Sequence, residues 1–159
     1  MSALTDLLPD DLIELIGRGV SCIVASRDAV HQPSVMRAVG CNVAGDSITV
    51  FVARRQSRQL VQDIAANGHI AVVFSEPATH RTVQVKATQA TLRQASEQDR
   101  PVLERYLASM EHELTRISIP VPLTRAMLAH RLDDVVAITF TPEQAFDQTP
   151  GPKAGAAVR

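Results

Sequence analysis

With 159 residues, 45% of them hydrophobic, the chain is long enough to build one domain around its own core without staples. A net charge of −1 argues against an electrostatic nucleic-acid binder, and 3% aromatics with no tryptophan argue against a base-stacking platform. No apolar run reaches the length of a membrane span.

The start, MSALTDLLPDD, is acidic and lacks the basic stretch of a secretion signal, so a cytoplasmic protein is expected, with no membrane or nucleic-acid partner. Pro9-Asp10-Asp11 ahead of Leu12, Ile13, Leu15 and Ile16 predicts a short capped helix, stopped by Gly17-Arg18-Gly19. Residues 21–25 read as an apolar strand and 27–32 as a polar turn leading to Pro33. Residues 34–43 read as one strand, apolar without clean alternation, as a strand covered on both faces is. Cys22 and Cys41 fall in these two apolar stretches and read as buried free thiols rather than as a disulfide or a metal pair. Ala44-Gly45-Asp46 is a turn, and 48–53 returns as the second arm of a hairpin.

A helix over 57–67 ends at Asn67-Gly68, and 69–74 is another apolar strand. Pro77 places 75–80 in a loop. Over 82–92, Val83, Val85 and Ala87 alternate with Gln84, Lys86 and Thr88, which predicts one long antiparallel strand with a wet face exposing Lys86. Ser96-Glu97 opens a long helix to about residue 117, with Pro101 in its first turn and a stripe of Val102, Leu103, Tyr106, Leu107, Met110 and Leu114. Glu111-His112-Glu113 on that helix reads as solvated. Pro120 and Pro122 make 118–123 irregular, 124–132 reads as a short helix, and 135–140 as the last strand. From Phe146 onward a Gly/Pro-rich tail is expected to be extended or mobile. About six strands, hairpin-linked with helices between them, predict a mainly β fold with helices (α+β), an antiparallel barrel in one domain over residues 1–159.

The stretch with the most chemistry is 47–60, SITVFVARRQSRQL. A β-branched strand runs through Arg54, Arg55, Ser57 and Arg58 into a helix. Such a junction offers unpaired N–H groups, the positive end of a helix dipole and charge-assisted bonds, a good cradle for a phosphate; a solvated basic surface has the same composition. The five histidines show neither HExxH nor a cysteine partner at ligand spacing, so no metal is expected.

Residues 33–92 resemble the pyridoxamine 5′-phosphate oxidase-like family of FMN-binding split barrels. The resemblance rests on Pro33-x-x-x-Arg37, Phe51-Val52-Ala53-x-x-x-Ser57-Arg58, Asn67 before the strand His69 to Phe74, and Arg81-Thr82-Val83-Gln84-Val85-Lys86-Ala87. It implies a six-stranded barrel and a homodimer with FMN at the subunit interface, beside the strand that carries Arg37, Ala38, Val39 and Asn42. Arg37 matches the family's phosphate-binding arginine, Val52 and Ala53 its flavin-facing positions, Ser57 and Arg58 its phosphate-binding turn, and Thr82 a polar neighbour of the isoalloxazine. Asn42 stands where the oxidase has a lysine, Ala53 where it has a threonine, and Gln59 where the turn has a second cation. Along the long helix Tyr106 is followed by Met110 and Leu114, with no cation, so vitamin B6 oxidase activity is not expected. The resemblance implies an FMN-dependent oxidoreductase acting on a small-molecule substrate by hydride transfer at flavin N5. The alternative is a non-catalytic binder of flavin, the deazaflavin F420 or haem.

Overall fold

The computed structural model describes residues 3–158. Two short helices, α1 (Ala3–Leu7) and α2 (Asp10–Arg18), lead into β1 (Ser21–Arg27), β2 (Pro33–Arg37), β3 (Gly40–Ala44) and β4 (Ser47–Ala53). Helix α3 (Arg58–Asn67) separates these from β5 (Ile70–Ser75), β6 (Thr82–Ala87) and β7 (Thr91–Gln94). Helices α4 (Arg100–Thr115) and α5 (Val121–Met127) precede β8 (Val135–Phe140) and β9 (Gln144–Asp147).

The strands lie in two antiparallel sheets, β2-β1-β5-β6-β9 and β3-β4-β8-β7. Two of the predicted strands each serve both sheets. The run 34–43 bends at Ala38-Val39 and becomes β2 in one sheet and β3 in the other, and the run 82–92 breaks at residues 88–90 into β6 and β7. These bends close the ring: β1 pairs β2, β3 pairs β4, β4 pairs β8, β8 pairs β7, β6 pairs β5, and β5 pairs β1. Counting each bent run as one strand and setting β9 aside, the barrel has the six strands expected, all antiparallel.

Strict alternation drives the packing of β1 and β5. Cys22 and Val24 on β1 and Val72 and Phe74 on β5 are fully buried inside, while Ile23, Ala25, Ala71 and Val73 face outward and half-exposed. Strand β4 is covered on both sides in its second half. Val50 and Val52 fill the barrel, whereas Phe51 packs outside with Val39, Ala95, Leu103, Val135 and Ala137 beneath the start of α4. Gly40 permits that close approach, since a Cβ there would stand 2.6 Å from a Leu103 methyl and 3.2 Å from the Phe51 ring. Ser96 and Asp99 cap the turn ahead of α4 reciprocally, and Arg93 holds the Asp99 carboxyl below its usual range through paired bonds of 2.7 and 2.8 Å.

Several expectations are corrected. The long helix begins at Arg100 after a single tight turn, and Glu113 on it is not solvated. It lies 2% exposed at the helical spacing of Tyr106 and Met110, with Arg18 at 3.3 Å and Arg116 at 3.5 Å. The second proline of the 118–123 segment sits in the first turn of α5, where a missing N–H does no harm, so the helix starts at Val121 and ends at Met127. The tail folds back: β9 pairs β6, Phe146 bridges Ala157, and Val158 donates to the Ala145 carbonyl at 3.0 Å. Both cysteines are buried and unbridged, as expected, and burial pushes the Cys41 thiol up to about 12. Among the described residues no helix is long and apolar enough to cross a membrane.

Candidate functional site

The junction of β4 and α3 is built from backbone upward. Strand β4 ends at Ala53, the Arg54 N–H donates to the Asp134 carbonyl at 2.7 Å, and the Ser57 N–H turns back to the Arg54 carbonyl at 3.1 Å. Ser57 then sits at the N-cap of a ten-residue helix. Its side chain is 3% exposed, makes no capping bond, and its hydroxyl has no hydrogen-bond partner. A buried orphan hydroxyl is costly to maintain and marks a place where a partner is missing. Arg54, Arg55 and Arg58 line a cavity of about 310 Å³ at this turn with Val61, Gln62 and Asp134. Arg55 is drawn to Asp134 at 3.7 Å, whereas neither Arg54 nor Arg58 has an ion-pair partner among the described residues. Two unspent guanidinium groups at a helix N-terminus suit a phosphate, and the orphan hydroxyl of Ser57 lies at the same turn, though not in the lining of the cavity.

The other expected residues are placed differently. Gln59 turns away from this cavity: its amide donates to Asp63 Oδ1 at 2.8 Å, and the Ser34 hydroxyl donates to Asp63 Oδ2 at 2.6 Å, bracing α3 against β2. Val52 is wholly buried in the barrel interior and Ala53 is 4% exposed, so neither side chain is open in the single chain. Ala38 and Val39 are likewise buried at the sheet-to-sheet bend, their N–H groups bonded to the Cys22 and Phe51 carbonyls. Thr82 has its polar groups committed: its N–H goes to Thr149 Oγ1 at 3.0 Å, its carbonyl accepts the Gln148 N–H at 2.9 Å, and its hydroxyl donates to the His80 carbonyl at 2.8 Å. Arg37 opens on a separate cavity, its Nη1 donating to Ser21 Oγ at 3.0 Å.

Two features escaped the sequence. Arg105 on α4 donates to Asn42 Oδ1 at 3.0 Å, so a guanidinium stands beside the position where the resemblance places a lysine. Tyr106, on the predicted apolar stripe of the long helix, is 2% exposed as that stripe implies, but its hydroxyl also donates to the Val20 carbonyl at 2.7 Å, a structural bond that the spacing did not announce. Among the described residues no three His, Cys, Asp or Glu side chains gather as a metal set.

No protein-family model and no curated protein sequence matches the chain. Solved structures do. A candidate pyridoxamine 5′-phosphate oxidase from Lactobacillus delbrueckii superposes with a TM-score of 0.56 at 16% identity, over 92% of this chain and 99% of that one. The chain has the fold of the pyridoxamine 5′-phosphate oxidase-like split barrels. Two further split barrels are similar. An F420 reductase gives a TM-score of 0.60 at 15% identity, over 87% of this chain and 98% of its own. HupZ of Group A Streptococcus gives 0.57 at 15% identity, over 93% and 99%. The similarity spans nearly the whole of each of these structures and most of this chain, well beyond the 33–92 block that carried the resemblance.

Proposed function

We propose that the chain binds FMN, its phosphate seated on the N-terminus of α3, and works as a flavin-dependent oxidoreductase on a small molecule. The observation that carries this reading is the buried, unpartnered Ser57 hydroxyl at the head of α3, flanked by the unpaired Arg54 and Arg58. A bound flavin supplies hydride transfer at N5, and the chain supplies binding and orientation. Ser57 offers a neutral donor, Arg58 a charged fork, and Asp134 keeps Arg55 aligned at the rim of the same turn. Arg105, fixed by Asn42, restores a cation that the resemblance otherwise finds missing.

Ser57→Ala separates binding from stability. It removes a buried hydroxyl that nothing satisfies, so the ligand-free protein is expected to gain about 1 kcal/mol and melt about 2–4 °C higher. The same change is expected to weaken FMN about tenfold, the loss of a hydrogen bond to a charged group. Calorimetry and thermal melting read the two effects. Lower stability with unchanged FMN affinity overturns the assignment. The absorbance spectrum of the purified protein distinguishes flavin from deazaflavin and haem, and repeated reduction of the bound flavin by NADH or NADPH distinguishes an enzyme from a carrier.

The reading includes a homodimer. On the outer face of the five-stranded sheet, Val35 stands opposite Ala25, Ala25 opposite Ala71, and Ile23 opposite Val73, an apolar row with Val35 58% exposed. A two-fold axis over this row would cover it in both copies, in keeping with the commonest oligomer symmetry. Sedimentation is expected to give a dimer mass at micromolar concentration and a monomer for Val35→Arg. A monomeric parent protein removes the assembly from the proposal.

A further inference from the structure

The cavity that receives Arg37 lies on another part of the molecule, between β1, the β5–β6 loop and the α4–α5 hairpin. Its volume is about 320 Å³, within the range of small-molecule sites. The wall is apolar: Met110 and Leu114 from α4, Ile117 and Ile119 from the connection, Leu123 and Met127 from α5. Leu123 and Met127 form an open rim, 61% and 41% exposed, so a ligand would remove apolar surface from water there.

Five polar side chains interrupt this wall: Ser21, Arg37, Ser75, His80 and Thr124, with the Ser75 hydroxyl paired to that of Thr82. The Arg37 guanidinium, half-buried, bonds only the Ser21 hydroxyl and pairs with no carboxylate among the described residues. Four of its five N–H donors are therefore left for another partner. Thr124, wholly buried in the wall, has a hydroxyl with no hydrogen-bond partner. A burial of this kind is rare in a finished structure and points to a group not yet in place. One uncompensated cation in an apolar cavity calls for one anion attached to an apolar body.

We propose that this cavity binds a small monocarboxylate with an apolar body, its carboxylate on Arg37 and its hydrocarbon against the α4–α5 wall. The assignment does not depend on the flavin reading, because it uses none of the residues at the head of α3. An alkyl acid and an aryl acid share the required chemistry, and the experiment separates them.

Calorimetric titration of the full chain, purified without added flavin, uses decanoate, 3-phenylpropionate and the neutral decanol as probes. At least one acid is expected to bind with Kd below about 1 mM, and decanol about tenfold more weakly or worse than decanoate. Preference for decanoate assigns an alkyl acid, and preference for 3-phenylpropionate an aryl acid. Arg37→Gln is expected to weaken the preferred acid about tenfold and leave decanol as it was. Met127→Asp, a rim change on an exposed residue that spares the fold, is expected to weaken the acid similarly through charge repulsion. Three results overturn the proposal: neither acid binds, decanol binds as well as decanoate, or Met127→Asp leaves acid binding unchanged in a protein that melts normally.

Discussion

Arg58→Ala is expected to weaken FMN binding about thirty-fold, or about 2 kcal/mol, with little change in the melting of the ligand-free protein. The size follows from how the charges around α3 are spent. Arg55 is drawn to Asp134, and Gln59 is held by Asp63, leaving Arg58 and Arg54 as the guanidinium groups without an ion pair. Arg58 is also the first residue of α3, where the helix dipole already favours an anion. Its removal therefore takes away a charge-assisted bond at the helix N-terminus itself, leaving Arg54 as the one guanidinium of the cavity without an ion pair among the described residues. Arg58→Lys is expected to recover part of the loss, because an ammonium keeps the charge but not the bidentate fork. Calorimetry with FMN reads all three proteins. Equal affinity in the parent and the alanine variant removes the head of α3 as the phosphate cradle.

Gly68→Ala is expected to destabilise the fold by about 3 kcal/mol and to lower its melting point by about 6–12 °C. Gly68 ends α3 with φ +73°, a left-handed conformation that a side chain disfavours. A Cβ there would also lie 2.7 Å from the Thr88 carbonyl oxygen, which is backbone and has little room to yield. The Gly68 carbonyl accepts the Ala90 N–H at 2.9 Å, so the strain falls on the bend where β6 becomes β7. Asparagine tolerates the left-handed conformation but carries the same Cβ. Gly68→Asn is therefore expected to remain clearly less stable than the parent, because the clash with Thr88 persists. A melting curve of Gly68→Ala that overlays the parent's contradicts the close approach itself.

What the sequence conveyed was local. Asn67-Gly68 announces the end of α3 because the stop is made by the residues themselves, and the β3–β4 hairpin is written in Ala44-Gly45-Asp46 and its flanks. The junction at 47–60 is legible for the same reason: strand, turn and helix follow one another without help from elsewhere. The two bends were hidden because an apolar run looks alike whether it stays in one sheet or passes to a second. Only the partners of 34–43 and 82–92, many residues away, decide where each breaks. Strand β9 was missed because its partner, β6, precedes it by about 60 residues in sequence. The Gln59–Asp63 bond, at helical i,i+4 spacing, was readable and would have withdrawn Gln59 from the phosphate turn beforehand. The Arg37 cavity had no such signal. Its walls come from separate segments, and the apolar spacing of Leu123 and Met127 was masked by the prolines around it.

The closed ring of strands has a consequence for how the chain reaches its native state. β4 finds its second neighbour only in β8, and the side chains of Thr49 and Thr139 that meet at 2.8 Å are 90 positions apart. β7, too, gains its partner only from β8. The nascent chain can pair β1 with β2 and β3 with β4 early, but the barrel stays open along β4 until residues 135–140 have been made. Such late, long-range closure places the fold among slow folders and leaves apolar strand faces uncovered during synthesis.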